Sequence, residues 1–315
     1  MLSVPLNAGF FYRAFYNIFA TLGNLSNNCP KENVSDRSMF QNCIKFSLLI
    51  SIVLVSGFAR AQRWEFGAAL GASNYNGDLA REIVLKESHL AGGAFFRYNL
   101  GKFASIRPGI NLGTISGSDK NFSENKYRNL SFKSTIFEIS TLMEFNFKPF
   151  GAQVRTQNFS PYVAIGLAGF HFNPKATYNG DVFELRTQRT EGQSKMYKTF
   201  QISVPFGMGL KWSVTNNLTV GFEFLYRRTF TDYLDDVSKN YPDLVAQKKA
   251  YGPVSAALSD RSGEVSATGN QLSTANDMRG DPGLKDWYLF SMFSFSYRLT
   301  PIICWPNKPS VIWDY

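Results

Sequence analysis

Ser88 and His89 are adjacent, and His171 is the only other histidine in the 315 residues. A serine beside a histidine supplies a nucleophile and a base. A carboxylate within reach would complete an acyl-transfer site. No Gly-x-Ser-x-Gly turn accompanies them, so nothing in the local pattern exposes the serine for attack. The two histidines share no ligand spacing with a carboxylate or a cysteine, so a zinc site is not indicated. Each reads as a polar residue at the end of a strand. Asp232-Tyr-Leu-Asp-Asp236 gathers three carboxylates, Asp232, Asp235 and Asp236, that could hold calcium. The run lacks the ordered ligands and the glycine of an EF-hand loop, and a solvated or arginine-paired loop is the plainer reading. No phosphate-binding Gly-Lys-Ser/Thr loop and no dinucleotide fingerprint occurs. No catalytic, cofactor-binding or metal residue is assigned, and a non-enzymatic role is expected.

The composition narrows what must position these residues. Lys and Arg number 33 against 24 Asp and Glu, for a formal charge of +9. The basic residues are spread out, with no cluster dense enough to indicate nucleic acid as a partner. Apolar residues make up 44% of the chain and charged residues only 18%, which excludes a disordered chain. The 29 Phe and 15 Tyr favour strands over helices. No polar-free run reaches the ~18–20 residues of a spanning helix, which excludes a polytopic helical membrane protein. A membrane β-barrel stays open, because its alternating strands dilute hydropathy.

The longest apolar run, Phe46 to Phe58, follows Lys45 and ends in Ala59-Arg60-Ala61. A charged start, a short apolar stretch and an Ala-x-Ala site form a secretory signal, with cleavage expected after Ala61. Met39 is placed to begin that signal. Residues 1–38 therefore read as an upstream extension from a mis-assigned start, the alternative being a genuine long leader. Residues 39–61 are the signal peptide. Gln62 would begin the mature chain, which argues against a lipoprotein anchor. Cleavage removes Cys29 and Cys43 and leaves Cys304 alone, so an exported chain has no disulfide framework.

Eight segments with period-2 alternation follow: Trp64–Tyr75, His89–Asn99, Ala104–Gly117, Leu130–Phe147, Ser160–Phe172, Lys198–Ser213, Leu218–Thr229 and Asp286–Arg298. Connections 100–103 and 214–217 are short, whereas 173–197 and 230–285 are long. The 12-residue connection 148–159 is no shorter than 118–129, so the alternation is imperfect. Short turns at one end and long loops at the other suit an outer-membrane barrel with both termini in the periplasm. Segment 230–285 is long for an irregular loop, so it is expected to carry local structure or to bind something.

A soluble eight-stranded barrel would turn its apolar face inward. The bulk of Phe137, Phe145, Phe200, Phe206, Trp212 and Phe222 cannot fit so narrow a lumen. The opposite faces hold small residues (Gly67, Gly71, Gly109, Gly113, Gly209) beside Glu65, Arg97, Arg107, Glu138, Glu144, Lys211, Glu223, Arg227 and Arg298. Both signs are present, as a paired and plugged interior requires. Trp64, Tyr75, Tyr98, Tyr162, Trp212, Tyr226, Trp287 and Tyr297 lie near strand ends and are expected to form the interfacial girdles. The fold is therefore all-β: an eight-stranded antiparallel transmembrane β-barrel over 62–300 with long external loops. A periplasmic C-terminal tail, 301–315, follows. A packed lumen of this width is no open pore.

Nine segments, taken in order, resemble one family. They are Ser73-Asn-Tyr-Asn-Gly-Asp-Leu79, Arg128-Asn-Leu-Ser-Phe-Lys-Ser134, Glu144-Phe-Asn-Phe-Lys-Pro-Phe150, Pro161-Tyr-Val163, His171-Phe-Asn-Pro-Lys175, Thr190-Glu-Gly-Gln193, Arg227-Arg-Thr-Phe-Thr-Asp-Tyr-Leu-Asp-Asp-Val-Ser238, Ala257-Leu-Ser-Asp-Arg-Ser-Gly-Glu264 and Lys285-Asp-Trp-Tyr288. Across 64–298 they look like the PorG-like outer-membrane barrels of the Bacteroidetes type IX secretion system. That resemblance implies an integral outer-membrane protein in contact with lipid and with the periplasmic ring of the PorK lipoprotein and PorN. In gliding bacteria the same machine also serves motility. It carries over no catalytic residue, and the tail 301–315 has no match in it. Most of these motifs fall in external loops, where they either bind a second partner, such as the translocon, or fold over the barrel mouth. A small barrel for adhesion or ligand binding, or a lipid-modifying enzyme using Ser88, His89 or His171, is the alternative class.

Overall fold

The computed structural model describes residues 64–150 and 158–299. The alternating segments become β1 (Trp64–Asn76), β2 (His89–Asn99), β3 (Ala104–Ser118), β4 (Ser131–Asn146) and β5 (Phe159–His171). After a hairpin, β6 (Pro174–Tyr178) and β7 (Asp181–Glu184), come β8 (Phe200–Ser213), β9 (Leu218–Thr229) and β10 (Trp287–Arg298). Each barrel strand pairs antiparallel with its neighbour, and β1 closes on β10 from Glu65↔Arg298 to Asn76↔Trp287. Strand β5 pairs directly with β8, so the β6–β7 hairpin lies outside the closed ring of eight. It attaches to the outer end of β4 through Lys133↔Lys175 and Ser134↔Pro174.

The two faces separate as the pleat requires. Phe66, Leu70, Ile110, Leu112, Phe137, Ile139, Ile165, Leu167, Phe200, Phe222 and Phe293 stand exposed on the outside. Exposed apolar side chains around the whole circumference have one suitable solvent, the hydrocarbon of a bilayer. The protein is a transmembrane barrel of the outer-membrane type. Among the described residues no helix is long and apolar enough to cross a membrane. The girdle needs one correction. Trp64, Tyr98, Trp212 and Tyr297 lie at the short-turn end and Tyr226 and Trp287 at the other, but Tyr75 and Tyr162 are buried at 2% and 1% exposure. Both occupy inward positions of their strands, and each hydroxyl meets a carboxylate there.

All nine charged residues of the inward face are buried. In the half nearer the short turns they form one connected network. Glu65 pairs with Arg97 and Arg298 (both 2.9 Å), and Glu144 with Arg97 (2.8 Å), Arg107 (3.1 Å) and Lys211 (2.5 Å). Glu223 accepts from Arg107 at 2.6 Å and from the Tyr162 hydroxyl at 2.9 Å. Every barrel strand contributes one member. Phe95 lies between the Arg97 and Arg107 guanidiniums, 5.0 and 4.9 Å from its centroid. Gly67 and Gly209 make room for this packing, because a Cβ would stand 2.3 Å from the Phe95 ring and 2.5 Å from the Tyr162 ring.

A second layer joins Glu138 to Arg227 (3.1 Å), the Tyr288 hydroxyl (2.7 Å) and Asn111 (2.8 Å). Above it Ile115, Ile136, Phe170 and Phe290 fill the lumen, continuous with the apolar core of the loops. That filling explains why β10 is apolar on both faces near its start.

Glu144 is fully buried and faces three cations. Its neutralisation would leave Lys211 without a carboxylate and Arg97 and Arg107 with one each, Glu65 and Glu223, so that three buried cations repel one another with less to offset them. Glu144→Gln is expected to destabilise the barrel by about 3–5 kcal/mol. The readout is the temperature at which the folded, fast-migrating form is lost on a gel in detergent.

Candidate functional site

The long connections converge on the barrel mouth as a folded cap. Segment 230–286 supplies two short helices, Leu244–Tyr251 and Pro253–Ser259. Asp243 caps the first, accepting from the amides of Val245 and Ala246. Leu79, Leu130, Phe132, Phe172, Leu185, Leu234, Val237 and Leu258 form the apolar centre of the cap. The expected local structure of this segment is present.

Two arginines hold the loops together. Arg128 grips Asp119 with Nε (2.8 Å) and Nη2 (2.6 Å), and donates to the carbonyls of Arg279 (2.5 Å) and Asp78 (3.0 Å). Arg279 reaches the carbonyls of Ser259 (3.1 Å) and Asp236 (2.6 Å) and the carboxylate of Glu191 (3.1 Å). Guanidinium suits this role, since its fixed fork satisfies several acceptors from separate loops at once. Asp236, in the left-handed region at φ 69°, accepts from Tyr197 at 2.8 Å and from the Thr190 hydroxyl. Asn129, also left-handed at φ 57°, bonds Glu264 at 3.0 Å. The motifs Ser73–Leu79, Arg128–Ser134, Thr190–Gln193, Arg227–Ser238, Ala257–Glu264 and Lys285–Tyr288 thus meet one another. They fold over the barrel mouth.

The other candidate residues fall elsewhere. The Ser88 hydroxyl accepts from Asn74 at 2.8 Å. His89 Nε2 lies 2.7 Å from Ser116 Oγ, and Ser116 in turn donates to Glu87. The carboxylate therefore engages the serine and not the far ring nitrogen of the histidine, where a catalytic triad needs it. His171 stands on the outer face of β5, opposite Phe137 and Phe200. Asp232, Asp235 and Asp236 are buried, not solvated. Asp232 accepts from Ser238 Oγ at 2.7 Å, and Arg279 lies 3.9 Å from Asp236. Among the described residues no group of three His, Cys, Asp or Glu side chains is arranged to hold a metal ion. Tyr75, Arg128 and Asp286 fall within the quoted motifs, but no local pattern marked them or Arg279 as the residues that hold the loops together. Their partners are distant in sequence. Residues 1–63, with the signal and Met39, and the tail with Cys304, lie outside the described residues.

One family model, described as "Domain of unknown function (DUF6089)", matches residues 44–251. No curated protein matches the chain. Among solved structures the chain is similar to Neisserial surface protein A, at 8% identity and TM-score 0.38 over 75% of this chain and 97% of that one. It is similar to the attachment invasion locus protein Ail of Yersinia pestis, at 10% identity and TM-score 0.34 over 75% and 97%. Outer Membrane Protein W of E. coli gives 13% and 0.32 over 76% and 99%. At these values they add no argument, and the closed register carries the fold.

The cap has acidic side chains at its centre. Burial raises Asp78 and Asp236 to about 6, against partial compensation from Arg128 and Arg279. Burial, then mutual repulsion and nearby carboxylates, lifts Asp235 and Asp286 well above the ordinary range. The Tyr75 hydroxyl lies 2.7 Å from Asp235 Oδ2 and 2.8 Å from Asp286 Oδ1. It carries one proton to donate. The second contact is a hydrogen bond only when a carboxyl donates back, so the pair shares a proton. A folded cap with raised carboxyl pKa values binds protons that the unfolded chain has released. Its stability is full below about 4, falls as pH rises through about 6, and falls further as the shared proton leaves. Hydrogen exchange in 230–286 is therefore expected to be slower at about pH 5 than at about pH 8, after correction for intrinsic exchange rates. Asp235→Asn keeps an acceptor for the Val237 amide and gives Tyr75 a neutral donor. It is expected to slow exchange at the higher pH and flatten the dependence. An unchanged slope would count against the shared proton.

Proposed function

From the premise that the chain belongs to the DUF6089 family, we propose that it is a non-enzymatic outer-membrane component of the type IX protein secretion system. In this reading it docks the periplasmic ring of PorK and PorN to the outer membrane. The observation that carries the reading is the closure of the lumen: two layers of paired charge, an apolar plug and a clamped cap lie along its length. A barrel without a passage works through its surfaces. The nine motifs in order supply the secretion-system assignment, and the cap accounts for most of them structurally. Docking then falls to the short-turn end, where Leu100, Phe103, Phe147 and Val214 stand exposed beside Lys102 and Lys148. Apolar and basic turn residues clear of the lumen network are available to a periplasmic partner. Localisation to the outer membrane, after export through a cleaved signal, belongs to the same proposal.

The test is purification from outer membranes in mild detergent, with mass spectrometry of the chains that come with it. PorK and PorN are expected. The double variant Lys102→Glu and Lys148→Glu is expected to lower their recovery several-fold while the barrel still folds. Recovery of a folded barrel alone would overturn the docking role and move attention to adhesion or ligand binding at the outer loops.

A further inference from the structure

The outward face of β4 changes character along its length. It is apolar at Ile139 and Phe137, and then becomes Thr135 and Lys133. On the neighbouring strand β5 and its continuation into β6, Leu167 is followed by His171, Asn173 and Lys175. The change marks where hydrocarbon gives way to headgroups. At that level the β6–β7 hairpin stands off β4 and leaves a groove of about 390 Å³, lined by Lys133, Thr135, Phe137, His171, Asn173 and Lys175. That volume falls within the ~300–1,000 Å³ range of small-molecule sites.

The register makes this groove unusual. Lys133 and Lys175 are direct cross-strand partners, both exposed on one face. Like charges directly opposite on adjacent strands are destabilising. Glu184 answers Lys175 at 3.4 Å, but both groups are nearly half exposed, and such a pair contributes little. Asn173 Nδ2 also donates to Glu184, at 2.8 Å. No salt bridge reaches Lys133 among the described residues. Two ammonium groups above an apolar wall complement an amphipathic anion, with its charge between the lysines and its chains along Phe137 and Ile139.

We propose that this groove binds the phosphate-bearing headgroup of an outer-leaflet lipid. Lys133 and Lys175 hold the phosphate and Asn173 faces the headgroup. The acyl chains continue down the outer face of β4 and β5. The proposal rests on the barrel standing in a bilayer and is independent of ring docking. Charge near a membrane surface contributes a few-fold in affinity per lysine.

The full-length protein in phosphatidylcholine nanodiscs, doped with bisphosphorylated lipid A or with its dephosphorylated form, tests this by native mass spectrometry. Retention of the phosphorylated lipid alone is expected. Lys133→Gln with Lys175→Gln is expected to reduce it at least about tenfold. Thr135→Trp keeps both charges and fills the groove floor, and is expected to lose the lipid as well. Folding of each variant is read from gel mobility. Equal retention of the dephosphorylated lipid overturns the proposal. So does unchanged retention in either folded variant, or displacement of the lipid by inorganic phosphate. Loss of PorK and PorN with lipid retained would overturn docking only.

Discussion

Charge inside a narrow lumen can persist only where each carboxylate meets its cations. The network around Glu144 and Glu65 meets that condition with one residue from each of the eight strands. Dry surroundings strengthen each pair and make each unpaired member costly. The register of every strand is therefore tied to every other through side chains, in addition to the backbone ladder. A slip of one residue would send a charge into lipid and a phenylalanine into the lumen. The same packing fills the lumen at this level with side chains.

The cap obeys a different rule. Loops have no ladder to satisfy their carbonyls, and a buried loop needs donors from elsewhere. Arg128 and Arg279 supply them, each reaching carbonyls and carboxylates from separate loops. Acidic side chains remain in excess at the centre, with Asp235 and Asp286 sharing Tyr75. The cap is thus held by groups whose protonation matters, above a lumen whose charges are paired. Stability of the two halves is expected to respond to pH differently for that reason.

The strands were legible because one physical pattern repeats in them. Leu218–Thr229 matches β9 at both ends, and the nine inward charges are all buried as the volume argument requires. Parity should also have placed Tyr75 and Tyr162. Position near a strand end was a weaker guide than the face of the strand, and both point inward. The hairpin β6–β7 and the clamps of Arg128 and Arg279 were not legible. Their contacts join residues such as Asp78 and Arg128, or Glu191 and Arg279, that no local period relates. The groove was hidden for the same cause: Lys133 and Lys175 oppose each other only through tertiary register. His171, weighed as a catalytic base, lies on that groove's wall.

In the docking role proposed above, the barrel would have to resist force as well as bind. A partner pulling on turn 100–103 or 214–217 loads the ends of β2, β3, β8 and β9. Arg97, Arg107, Lys211 and Glu223 lie on those four strands; Glu144 joins the three cations to β4, Glu65 joins Arg97 to β1 and to Arg298 on β10, and Tyr162 joins Glu223 to β5. Load on one hairpin is shared across the lumen within one layer of side chains. An open barrel of the same strands would pass that load along two neighbouring ladders only. The filled lumen is thus the feature that would suit the barrel to the anchoring role proposed for it.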